Sequence, residues 1–333
     1  MKKVVVGLVL VLGAVGAVEV GVSEDVTVGG LSSGGFMAVQ THVALSEIVH
    51  GAAVFAGGPY FCAMGDFDTA ITDCMQNGEN INLDRLIRYV EINEKSRYID
   101  KAENLVDDHV YVFSGLSDFR VLPIVNRQTA KFYERMGSNV KSIFDFDAGH
   151  NMPTEDFGIE CKESTTPFIG RCNMNGALSS LRYLHPQRIL NTIGEMKLAN
   201  LFSLKQTTGK TVMGPEAYAY IPKACQNSLA QCSLHVVFHG CQQTIDHIGL
   251  TYVESTGYNE IAEVNEFVIL YPQAYANEDL NPLGCWDWWG FTGKNYATKF
   301  GKQVAEVKRL INALKSGQID STQVYTTSEV IKE

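Results

Sequence analysis

One stretch near the start of the chain limits the possible folds more than any other: Val26-Thr27-Val28-Gly29-Gly30-Leu31-Ser32-Ser33-Gly34-Gly35-Phe36-Met37. Residues 26–30 read as a strand, and a helix is expected over about residues 35–46. Between them Gly30-Leu31-Ser32-Ser33-Gly34 fits G-x-S-x-G, in the strand-to-helix context that a nucleophile elbow requires. So tight a turn leaves no room for Cβ atoms beside the serine, which explains the flanking glycines. Ser32 holds the central position, with its hydroxyl expected at the strand tip and the helix N-terminus. The competing reading is a Gly/Ser-rich turn without chemistry.

The remaining pattern is α/β. Residues 52–56, 109–113 and 140–146 read as strands; residues 84–96, 123–136 and 175–184 read as helices. Leu86, Ile87, Val90 and Ile92 are expected on one side of the first of these helices, and Pro123 opens the second. Residues 201–205 and 217–221 alternate like a hairpin, with Gly209 and Gly214 between them. Residues 234–238 and 267–271 are continuous apolar runs, as buried parallel strands are. Residues 297–314 carry the longest helical pattern, with Phe300, Val304, Val307, Leu310, Ile311 and Leu314 at helix spacing. Strands alternating with helices predict a mostly parallel sheet with helices on both faces. No linker divides the chain, so residues 18–333 are expected to form a single domain.

A serine hydroxyl needs a histidine to accept its proton and an acid to orient that histidine. Asp118 lies just past the 109–113 strand, and His150 follows the 140–146 strand in Asp147-Ala148-Gly149-His150. The order Ser32, Asp118, His150 is that of α/β-hydrolases. Asp107 and Asp108 precede their strand, at the wrong edge, and Asp145 and Asp147 are expected to be solvated. His42, His50, His109, His185 and His247 lack a strand-end setting with glycine.

His239 is the rival base, but it sits where a buried strand runs into His239-Gly240-Cys241. In many hydrolases a His-Gly turn after a strand supplies one backbone donor of the oxyanion hole, and the residue after the nucleophile supplies the other. The expected donors are the N–H groups of Cys241 and Ser33. That strand normally precedes the nucleophile strand, whereas here it follows His150. Rotating the chain restores the usual order, so a circularly permuted α/β-hydrolase fold is expected, with the end of the long helix beside the start of the nucleophile strand.

At this point the chain resembles the secreted, single-domain, circularly permuted poly(3-hydroxybutyrate) depolymerases. The resemblance rests on Gly30-Leu-Ser-Ser-Gly-Gly-Phe-Met-Ala38, Val54-Phe-Ala-Gly-Gly-Pro-Tyr-Phe-Cys62-Ala63, His150 with Pro153-Thr154, Cys232-Ser-Leu-His-Val236 with His239-Gly-Cys-Gln242, Thr256-Gly-Tyr-Asn259, Ile269-Leu-Tyr-Pro-Gln-Ala274 and Gly284-Cys-Trp-Asp-Trp288. It implies a Ser32, Asp118 and His150 triad, an oxyanion hole at Ser33 and Cys241, and a cleft tryptophan at Trp286 that binds substrate. Core packing is the competing role for one or two of the three tryptophans.

The N-terminus reads as a signal peptide over residues 1–17. Lys2 and Lys3 precede an apolar run over residues 4–15, and Val15-Gly16-Ala17 suits cleavage after Ala17. The run is short of the roughly 20 residues of a membrane span, although uncleaved anchoring is the alternative. Cleavage removes two lysines and no acid, so the formal charge goes from −10 to −12. An acidic chain with no basic cluster argues against nucleic-acid binding and adhesion to anionic lipid. Eight cysteines, Cys62, Cys74, Cys161, Cys172, Cys225, Cys232, Cys241 and Cys285, none in C-x-x-C, read as four disulfides in an exported protein. Spacing favours 62–74, 161–172 and 225–232, with 241–285 left by elimination.

The sequence therefore predicts a secreted, monomeric serine esterase, extracellular or periplasmic, and the resemblance implies that it acts on polyhydroxybutyrate-type polyesters or their oligomers. It needs no cofactor or metal, binds no nucleic acid, and has no membrane contact after cleavage. The alternatives are a carboxylesterase for small or plant-wall feruloyl and acetyl esters, and a non-catalytic binding protein that kept the fold.

Overall fold

The structure, a computed structural model, describes residues 10–190, 193–207 and 212–326. Lys2, Lys3 and Gly209 lie outside the described residues. The chain opens with β1 (Leu10–Glu19) and β2 (Val22–Leu31), and α1 (Ser33–Ala44) starts one residue beyond β2. Then come β3 (Gly51–Phe55), α2 (Phe67–Ile71), α3 (Leu83–Lys95), β4 (His109–Phe113), α4 (Pro123–Met136) and β5 (Asn139–Ile143). Three short strands, β6 (Met152–Thr154), β7 (Ile159–Glu160) and β8 (Ile169–Arg171), form a small separate sheet ahead of α5 (Gly176–Leu184). The second half contains β9 (Leu201–Lys205), β10 (Glu216–Tyr220), β11 (Cys232–Phe238), α6 (Ile245–Ile248), α7 (Thr251–Ser255), α8 (Tyr258–Asn265), β12 (Phe267–Tyr271), α9 (Lys302–Lys315) and β13 (Gln318–Thr326).

The main sheet runs β1-β13-β9-β10-β12-β11-β2-β3-β4-β5. From β12 to β5 every neighbouring pair is parallel. The other four strands are antiparallel to their neighbours. Alternate residues of the parallel strands enter two cores. Val26, Val28, Ala52, Val54, Val110 and Val236 pack beneath α1, α4 and α9. Ala53, Phe55, Tyr111, Phe113, Val237 and Ile269 pack beneath α5 and α8. Burial on both faces explains why these strands read as unbroken apolar runs.

The rotated order is visible in space. β11 pairs with β2, Val236 opposite Val28. The end of α9 returns to the start of β2: the Val20 N–H donates to the Gly317 carbonyl at 3.0 Å, and Lys315 is ion-paired with Glu24. Beginning at β9, the strands follow as hairpin, β11, β12, then α9 and across a short gap β2. That is the sheet of an α/β-hydrolase with its chain opened ahead of the nucleophile strand.

Three local expectations are corrected. Ile92 is 53% exposed whereas Asn93 is buried, because the inward stripe of α3 runs Leu86, Val90, Asn93 and Ile92 falls off it. Phe300 is exposed and precedes α9, which begins after Gly301. β5 stops at Ile143, three residues short. β1 was not expected: its residues 10–17 fall within the segment read as a leader. All four disulfides form in the expected pairs, and no free cysteine remains.

Candidate active site

The parallel strands bring their carboxyl ends to one edge, where such sheets place their sites. Ser32 occupies the single residue between β2 and α1, at φ 59° and ψ −124°, a conformation that an L-residue adopts only when its surroundings impose it. Its N–H donates to Phe55 O at 2.9 Å and its carbonyl accepts from the Phe36 N–H at 3.0 Å. The glycines are required. A Cβ on Gly30 would lie 2.4 Å from Gly34 O, and one on Gly34 would lie 2.2 Å from Phe238 O.

Asp118 and His150 come from loops after β4 and β5 that are laced together. Leu116 N–H donates to Phe146 O at 2.8 Å and Ser117 N–H to Ala148 O at 3.0 Å. Gly115 lies so close that its Cβ would sit 2.1 Å from Ala148 O. The outcome is a buried pair in which His150 Nδ1 donates to Asp118 Oδ2 at 2.8 Å. Asp118 Oδ1 accepts from the N–H groups of Arg120 and Val121 at 2.9 and 3.0 Å. The carboxylate is thereby oriented, and Nε2 is the His150 nitrogen that Asp118 does not engage. Of the rival acids, Asp107, Asp145 and Asp147 are exposed, Asp147 is occupied by Lys162 and Ser117, and the half-buried Asp108 is bonded to His42 Nε2 at 2.9 Å.

His239 and Gly240 lie against Ser32 despite 207 residues of separation: a Cβ on Gly240 would be 3.2 Å from Ser32 Cβ. Cys241 N–H has no hydrogen-bond partner among the described residues. Ser33 is the first residue of α1, so its N–H has no carbonyl one turn earlier to bind. His239 itself is sealed inside, and burial pushes its imidazole down to about 4, which argues against a base working near neutrality.

Ser32, His150 and Cys241 open on a cavity of about 400 Å³. Its other walls are mostly apolar: Phe67, Ile71 and Met75 on one side, Leu280, Pro282 and Leu283 on another, with Phe168, Trp288 and Trp289. Trp286 is not among them, which corrects the substrate-binding expectation. It is 0% exposed, packed between Phe238 and His239 at ring distances of 5.0 and 5.4 Å. The turn that follows explains this. The buried Asp287 carboxylate accepts from the N–H groups of Trp289, Gly290, Phe291 and Thr292 and swings the chain outward. Trp288 then stacks on Phe36 at 4.2 Å, and Trp289 reaches Phe67. The walls from α2 and from Leu280 to Leu283 were not singled out in the sequence. Their proximity to Cys74 and Cys285 was the available signal.

An α/β-hydrolase sheet with a serine on its elbow and an acid–histidine pair beside it is the framework of a carboxylic ester hydrolase, and this chain is an enzyme of that class. Residues 217–330 match the family model described as Esterase PHB depolymerase. A poly(3-hydroxybutyrate) depolymerase of Delftia acidovorans is 35% identical over 331 residues, covering 95% of this chain and 66% of that protein. A polyhydroxybutyrate depolymerase of Talaromyces funiculosus is 35% identical over 314 residues, 88% of this chain and 90% of that protein. The crystal structure of PHB depolymerase from Penicillium funiculosum superposes with a TM-score of 0.83 at 33% identity, covering 90% of this chain and 98% of that one. A PHB depolymerase complexed with an R3HB trimer gives the same values. The chain belongs to the polyhydroxybutyrate depolymerase family.

Proposed function

We propose that this protein hydrolyses 3-hydroxybutyrate-type polyesters and their oligomers through an acyl-enzyme on Ser32. His150 Nε2 takes the hydroxyl proton as Ser32 Oγ attacks the ester carbonyl, then returns it to the departing alkoxide. Asp118 orients His150 and stabilises the imidazolium. The N–H groups of Ser33 and Cys241 hold the oxyanion of both tetrahedral intermediates. A water, activated by the same histidine, releases the acyl group and restores Ser32. The observation that carries this reading is the buried 2.8 Å bond from His150 to Asp118 at the wall of the cavity that Ser32 enters. The apolar walls suit a methyl-branched polyester better than a charged or sugar-linked ester. The trimer complex of a relative favours oligomers as substrates.

The same reading has residues 1–17 removed on export and the remaining chain acting as a secreted monomer. The test is a panel of amorphous polyhydroxybutyrate, its soluble oligomers and a feruloyl ester, offered to the purified mature protein. Release of 3-hydroxybutyrate or its dimer is the expected result. Turnover of the feruloyl ester alone would replace the polyester with a plant-wall substrate.

A further inference from the structure

We propose that His239 is a positioning residue for the oxyanion hole: it grips the Gly240 carbonyl and so turns the Cys241 N–H toward Ser32. The proposal rests on the Ser32 reading above. His239 Nδ1 donates to Gly240 O at 2.7 Å, and Ala274 N–H donates to His239 Nε2 at 3.2 Å. The second bond requires a bare Nε2, so the ring is neutral, with its proton on Nδ1. Burial, which holds the imidazole at about 4, keeps it in that state throughout the neutral range. In a planar trans peptide the C=O and the following N–H point in opposite directions. Pulling the Gly240 carbonyl toward the buried ring therefore drives the Cys241 N–H the other way, and Cys241 lines the cavity.

The preceding peptide is held as well. Gly240 N–H donates to Gln243 Oε1 at 2.6 Å, and Gln243 Nε2 donates to Pro167 O at 2.7 Å. Both polar groups of Gly240 are thus occupied, leaving that peptide pair one orientation. Trp286 packs against His239 at a tilt of 41°, with ring centroids 5.4 Å apart, and so fills the space beside the imidazole. This gives the fully buried Trp286 and the His-Gly sequence a common purpose. His239 never touches substrate; it sets the direction of a donor that does.

The experiment compares two variants on a soluble oligomer. Asn can place its amide N–H near the position of Nδ1, so His239→Asn should keep the grip and stay within about tenfold of the wild-type kcat. Gln reaches instead toward the Nε2 position and loses the Gly240 bond. His239→Gln should lose kcat by about 10²- to 10³-fold, the range for removing one oxyanion donor, with KM little changed. Wild-type kcat in His239→Gln overturns the proposal, as does an equal fall in both variants, which would mean that the ring only fills space. Should His239→Gln not fold, nitrogen NMR of histidine-labelled wild type decides. A ring protonated on Nδ1 alone from pH 5 to 9 supports the proposal, and a proton on Nε2 overturns it. A fluorophosphonate that fails to label Ser32 in the wild type would instead refute the Ser32 reading, which separates the two failures.

Discussion

The Ser33 hydroxyl accepts a 3.2 Å hydrogen bond from the Trp286 backbone N–H, across 253 positions of sequence. Trp286 follows Cys285, which is bonded to Cys241. One side chain, two residues and a disulfide thus join the two N–H groups assigned to the oxyanion. Ser33 therefore has a side-chain role as well as a backbone one.

That contact sharpens the contrast between the two adjacent serines. Ser32→Ala should lower ester hydrolysis by about 10⁴-fold or more without unfolding the protein. Ser33→Ala keeps its N–H and should keep most of the activity. It leaves the Trp286 N–H buried without a partner, costing about 1–3 kcal/mol in urea unfolding. Equal loss of activity in both variants would show that the nucleophile had been misassigned.

The acid can be tested against its nearest rival. Asp118→Asn should fold normally and lose about 10⁴-fold in kcat, because the amide favours the wrong His150 tautomer. Asp147→Asn, at an exposed carboxylate held by Lys162 and Ser117, should change little. Steady-state rates on a soluble ester decide, and a nearly active Asp118→Asn would move the role elsewhere.

Trp286 and Trp289 should respond in opposite ways. Trp286→Ala empties a fully buried site and should cost about 3–5 kcal/mol of stability. Trp289→Ala removes part of the cavity wall, so it should raise KM for oligomers several-fold while the melting temperature barely moves. A thermal melt beside a Michaelis curve distinguishes them; a raised KM with unchanged stability in Trp286→Ala would restore that residue to the cleft.

Acid should weaken the fold from about pH 6.5 downward. Burial pushes the His235 imidazole down to about 3 and that of His239 to about 4, from an ordinary value of 6.5. Both take up protons on unfolding, so their contribution is complete above pH 6.5 and declines as the pH falls toward 4 and then 3. Asp25 adds to the fall at lower pH. Burial raises its carboxyl, but His185, Ser233 and Arg188 outweigh that and bring it down to about 2. Its contribution is present above an ordinary carboxylate value near 3.8 and is lost as the pH drops through 2. Urea midpoints at pH 7, 5.5 and 4 measure the slope; equal midpoints at pH 7 and 4 would contradict the assignment.

The nucleophile turn, the parallel strands, α4 and the four disulfides were legible in the chain because each depends on local physics. Glycine is required where Gly30 and Gly34 meet backbone, and apolar runs betray strands buried on both faces. Proline opens α4 at its first position, and three of the disulfides close short loops. The proposed acid and base, Asp118 and His150, were singled out by their places at strand ends, which a parallel sheet gathers at one edge. Only tertiary structure decided which way loop residues face. Residues 286–289 are aromatic on both sides of Asp287, and it took that buried carboxylate binding four N–H groups to send Trp289 outward while Trp286 stayed inside. The same holds for the Ser33 hydroxyl, the grip of His239 on Gly240, and Ile92 turning outward on α3. These depend on partners far away in sequence or on the phase of a helix against its neighbours, which no local pattern encodes.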